Sequence, residues 1–82
     1  MKIREEILRK YLFAKNLETA LLIDQQNNHV NSIEYIYDKQ NEDEIIIIFF
    51  RNGPDKKILA TGNSNGQNAI EIIKAVYGGE YE

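Results

Sequence analysis

EDEIIIIFFRNG, residues 42–53, sets three acids directly before six large apolar residues with no polar residue among them. A strand with one wet face alternates between apolar and polar positions, and this stretch does not. In an extended chain Ile45, Ile47 and Phe49 point to one side, and Ile46, Ile48 and Phe50 to the other. Burying one such side chain is worth about 1.5–3 kcal/mol, so three left in water forgo roughly 5–9 kcal/mol. The chain has 82 residues, one domain with an expected stability on the order of 5 kcal/mol. Both faces of this strand are therefore expected to be covered, by the chain itself or by another molecule.

The segments on either side read as a meander. SIEYIYD, residues 32–38, alternates Ile33, Tyr35 and Tyr37 against Glu34, Ile36 and Asp38, the pattern of a strand with one mostly wet face. KQNED then serves as a hairpin loop. After the central strand, at 44–51, NGPDKK makes a second turn and ILAT, residues 58–61, a short strand. A helix is expected from about Asn65 to Tyr77, with Ala69, Ile70, Ile72, Ile73, Val76 and Tyr77 on one stripe and Gly78-Gly79 as its stop. The loop TGNSNGQNA before it offers Asn63, Ser64 or Asn65 as the cap. It lacks the Gly-Lys-Ser/Thr ending of a phosphate-binding loop.

Residues 2–15 predict an amphipathic helix with Ile3, Ile7, Leu8, Tyr11 and Leu12 on its apolar stripe. Phe13 falls nearly opposite, beside Lys2, Glu6 and Arg9. LETALLID, residues 17–24, fits either a longer helix or a strand. Asn16 as a stop and the alternation of Leu17, Thr19, Leu21 and Ile23 favour the strand. QQNNHVN, residues 25–31, is a polar turn. The expected fold is α+β: an antiparallel meander of three to four strands flanked by N- and C-terminal helices, in the order α-β-β-β-β-α.

The strand of the opening stretch can be covered in three ways. The helices can lie on opposite faces, both can lie on one face, or tyrosines can roof the second face locally. Each helix shows a single broad apolar stripe, so two helices side by side on one face is the favoured arrangement. The other face then serves as a contact surface for a partner or a second copy, a homodimer through the sheet face. Its candidate residues are Glu34, Ile36 and Asp38, the row Ile46, Ile48 and Phe50, and the acids Glu42, Asp43 and Glu44 at the wet end.

Composition narrows the function classes. There is no cysteine, which excludes a disulfide framework and a thiolate metal site. His29 is the single histidine, and its Asn-rich turn gives no ligand set or catalytic pairing. No enzyme activity, metal or cofactor is expected. No run approaches the ~18 apolar residues of a membrane span, and the reading is cytoplasmic with no membrane partner. Net charge is −3 and the pI near 5.1, which argues against a general nucleic-acid binder. The bases Lys2, Arg4, Arg9, Lys10 and Lys15 nevertheless gather in the first helix, and a basic face at Lys2, Arg9 and Phe13 is the alternative nucleic-acid surface.

The last half of the chain, DEIIIIFFRNGPDKKILATGNSNGQNAIEIIKAVYGG, runs strand, turn, strand, polar cap and closing helix. That order resembles small α-β-β-β-α proteins of bacteriophages, including small acidic anti-CRISPR inhibitors. The resemblance implies a non-catalytic protein that occupies a site on a larger host complex, with carboxylates standing in for phosphates. Glu34, Asp38, Glu42, Asp43 and Glu44 are the matching acids. The functional expectation is a small interaction or regulatory protein, phage or mobile-element encoded, acting as an inhibitor of a host defence complex or pairing with itself.

Overall fold

The computed structural model describes residues 2–78, with the side chains of Lys2 and Ile3 outside the described part. Five regular elements follow in the order α-β-β-β-α: α1 (Lys2–Ile23), β1 (Val30–Asp38), β2 (Asp43–Phe50), β3 (Lys56–Leu59) and α2 (Asn65–Ile73). A single π turn, Lys74–Gly78, continues α2. The strands form one antiparallel sheet in the order β1-β2-β3. The fold is α+β as expected, but the fourth strand is not seen among the described residues: residues 17–23 complete α1. Helix continuation places Ala14, Leu17 and Leu21 on one face three to four residues apart, where Ala14 and Leu21 are buried and Leu17 packs against the core. A strand there would have had to divide the same residues between two faces.

The hairpin between β1 and β2 fixes which apolar row lies inside. Asp38 pairs with Asp43, and every later pair keeps that register as far as Ser32 and Phe49. Ile33, Tyr35 and Tyr37 therefore share a face with Ile48, Ile46 and Glu44, and Ile46 stands beside Ile58 of β3. Val30 pairs with Phe50 across a bulge at Asn31, which bends the start of β1. The core joins Ile33, Tyr35, Ile46, Ile48 and Ile58 of this face to Ala14 and Leu21 of α1 and Ile72 of α2, with Val30 and Ala60 at its ends. Both helices thus cover the same side of the sheet.

The loop and caps are built from short polar side chains. Asp38 Oδ1 accepts from the Gln40 and Asn41 backbone N–H groups, and Asn41 Nδ2 donates to Asp38 Oδ2 at 2.8 Å. Glu42 closes the turn at φ 55°, a left-handed conformation that glycine adopts more readily. Ser64 is the α2 cap: its hydroxyl accepts from Gln67 N–H while the Gln67 side chain accepts from Ser64 N–H. At the other end of α1, the buried Asn28 side chain donates to the carbonyls of Leu21 and Asp24 and accepts from Val30 N–H. Tyr77 of the π turn reaches the same place, donating to Asp24 Oδ2 at 2.6 Å and accepting from Asn28. Its bond holds the Asp24 carboxyl below the ordinary value. Arg51 locks the loop from β2 through the carbonyls of Gln25 and Asn28.

The amphipathicity of α1 differs from the sequence expectation. Its core-facing residues are Ile7, Ala14, Leu17 and Leu21, whereas Leu8, Tyr11 and Leu12 are exposed. With exposed Leu22 they form a second apolar stripe on another side of the helix. A single stripe does not describe α1, because its apolar residues exceed what one contact face can bury.

Candidate interaction surface

The side of the sheet away from the helices carries an organised apolar surface. Strand alternation and register arrange it as rows across three strands. Ile36, Ile45 and Leu59 form one row, and Glu34, Ile47 and Lys57 the next. Ser32 and Phe49 begin a third. Ile36 keeps 44% of its surface in water and Leu59 71%, while Ile45, Ile47 and Phe49 are half-buried by their neighbours in the sheet. No helix lies over these rows, since the buried residues of both helices belong to the core on the opposite side.

The open row differs by one residue from the expected one. Ile46 and Ile48, expected at the contact surface, are 1% and 0% exposed and lie in the core. Phe50 packs against that core and lines a hollow of about 240 Å³ with His29, Asn52, Gly53 and Pro54. Its place on the contact row falls to Phe49. The reason is the side-chain period of two: a one-residue change in where the hairpin closes exchanges the two faces of the following strand. Glu34, Ile36 and Asp38 do lie on the open face, through alternation from Ile33 and Tyr35.

The acids separate in a similar way. Glu42 is exposed and Asp43 half-buried at the hairpin, but Glu44 turns inward. Its Oε1 accepts from Lys10 Nζ and from the Tyr35 hydroxyl, each at 2.7 Å, and its Oε2 from Gly62 N–H at 3.2 Å. Burial would push the Glu44 carboxyl up, yet the bonds from Lys10, Tyr35 and Gly62 outweigh it and hold it below the ordinary value. Burial, helped by the neighbouring Glu44 carboxylate, pushes the Tyr35 phenol far above its usual range. Glu44 therefore joins α1, β1, β2 and the β3–α2 loop and is not available to a partner. Asp38 is held by its own turn, and the Asn41 bonds keep its carboxyl below the ordinary value.

The edge of β1 is joined to α1 by a second charged cluster. Lys15 Nζ lies 2.8 Å from Glu34 Oε2 and 3.5 Å from Glu18 Oε2, and the bond to Glu34 raises the Lys15 pKa against the opposing effect of burial. Glu18 also accepts the Ile33 N–H at 2.7 Å, a donor on the strand edge not used by β2. Lys15 stands 5.9 Å from the Tyr11 ring centroid. This cluster links the exposed stripe of α1, at Tyr11, to the open face of the sheet, at Glu34.

These pairings change the basic face as well. Of its five bases, Lys10 and Lys15 are engaged with carboxylates; Arg4 and Arg9 are exposed and Phe13 is half-buried. The Lys2 side chain lies outside the described part. No group of three or more His, Asp or Glu side chains among the described residues is placed to hold a metal ion, and no described helix is long and apolar enough to cross a membrane. The chain matches no protein-family model, no curated protein and no solved structure.

Proposed function

We propose that this chain is a small non-catalytic interaction protein that acts by burying the open face of its sheet against another protein surface. The observation that carries the reading is the row Ile36, Ile45 and Leu59, apolar across all three strands and bare of helix. Contiguous apolar surface of this kind on a small domain marks a contact site more often than an accident of composition. A regulatory or inhibitory role on a host complex is the sharper form of the reading, supported by the resemblance in element order. Phosphate mimicry gains little support, because Glu44 is internal and Glu34 and Asp38 are bonded within the chain. The nucleic-acid alternative is weakened by the internal pairing of Lys10 and Lys15.

The test compares tagged wild-type chain with Ile36→Glu and Leu59→Glu in lysate of the cell that makes or receives it. Both positions are exposed, so circular dichroism should show the folds unchanged. A protein retained by wild type and lost from both variants is the expected result. Identical retained sets would overturn the reading.

A further inference from the structure

The middle row of the open face carries a charge pattern that is complementary to itself. In this row Glu34 of β1, Ile47 of β2 and Lys57 of β3 stand at one level across the sheet. The acid and the base are thus on opposite outer strands, separated by the apolar centre strand. Lys57 is exposed, and no described carboxylate lies within ion-pair distance of it. At the other end of the row, Lys15 together with Glu18 and Glu34 sums to one net negative charge. The side chain of Glu34 retains 41% exposure, and a carboxylate bonded to one lysine keeps further acceptor positions.

From this pattern we infer that the face is built to receive a second copy of the same chain, with a two-fold axis running along β2. The inference rests on the reading that the face is a binding surface and adds the identity of the partner. A two-fold interface brings the same patch of each copy together, so each residue must suit its symmetry mate. With the axis along β2, β1 of one copy lies over β3 of the other. Each Glu34 then meets the partner copy's Lys57, and Ile45 and Ile47 meet their own counterparts. Ile36 meets Leu59 in the same way. An axis across the strands would instead set Glu34 against Glu34 and Lys57 against Lys57. The charged row therefore selects one of the two face-to-face arrangements, with the sheets packed about 10 Å apart.

The size of the face bounds how stable the pairing can be. Three strands at about 4.8 Å spacing, over the four residues of β3 at about 3.3 Å rise, give a flat area of roughly 14 by 13 Å. Such a face is below the usual size of specific interfaces, so the pairing is expected only at high micromolar concentration or above. The dimer is reversible on dilution.

Sedimentation equilibrium from about 10 µM to 1 mM tests this in low salt, with folding of every variant checked by circular dichroism. Wild type should pass from monomer to dimer across that range, and Leu59→Glu should stay monomeric. Lys57→Glu and Glu34→Lys should each weaken the dimer about tenfold or more, by placing like charges opposite. An equimolar mixture of these two variants restores both opposite-charge contacts and should recover a mixed dimer near wild-type strength. A wild-type monomer at 1 mM, or a dimer indifferent to Lys57→Glu, overturns the two-fold pairing. Failure of the mixture to associate better than either variant does the same. If the chain is monomeric while the lysate comparison still shows capture through the face, the pairing falls and the binding surface stands. If both fail, the surface falls with it.

Discussion

Substitution of Glu44 by Gln probes the junction that holds the four parts of the fold together. The change keeps size and shape but removes the charge that Lys10, Tyr35 and Gly62 address. Hydrogen bonds to a charged group are worth about 1.5–3 kcal/mol each and neutral ones about half as much. The Lys10 pair is only partly shielded, with 19% and 14% side-chain exposure, so its loss counts for about 1 kcal/mol. Weakening of the Tyr35 and Gly62 bonds adds a similar amount, for a total near 2 kcal/mol. At this chain length that lowers the melting temperature by about 8–15 °C. Glu44→Ala should cost about 1 kcal/mol more, since the Tyr35 hydroxyl then has no acceptor. Urea unfolding measures both, with an unchanged denaturant slope as the check that only stability moved. The pH dependence follows from the lowered carboxyl. Its contribution is complete above the unfolded value near 4.5 and is lost as pH falls through the lower folded value. The gap between wild type and Glu44→Gln should therefore be widest at pH 6–7 and close toward pH 3. A Glu44→Gln variant within 0.5 kcal/mol of wild type at pH 7, or a gap that does not change with pH, would refute the reasoning.

Asn28→Ala should cost about 2–3 kcal/mol by thermal melting, because it strands the buried Val30 N–H and uncaps the end of α1. An effect no larger than that of an ordinary surface substitution would show that water replaces the cap. Glu42→Gly should raise stability by about 0.5–1 kcal/mol, since it relieves the left-handed backbone at φ 55°. A lower melting temperature for this variant would mean that the loop tightens through the Glu42 side chain.

The three strands of the meander and the helix at each end were legible because turn residues and apolar runs punctuate the sequence between 25 and 65. The end of α1 was not, since Leu17, Thr19, Leu21 and Ile23 satisfy the strand period while Ala14, Leu17 and Leu21 satisfy the helix period. Tertiary packing decides between them: the helix buries Leu21 and frees Glu18 to bond β1. The doubly apolar strand correctly marked an interior position, with β1 and β3 on either side. Which of its rows faces out depended on one residue of hairpin length, and six consecutive apolar residues carry no polarity to reveal it. Glu44 was read as part of a solvated acidic run because a distant Lys10 and Tyr35 leave no mark at its own position.

The bond from Ile33 N–H to Glu18 has a consequence for how large an assembly of this chain can become. A sheet grows without limit when strands add to its edges, and here Glu18 of α1 takes a donor on one edge. The other edge is β3, four residues long, with Lys56 and Lys57 exposed and Pro54 just before it, features that discourage a further strand. The wide surface left bare is perpendicular to that direction of growth. A partner stacked there would use up the surface in a single event, so association on this face would stop at a fixed stoichiometry rather than polymerise.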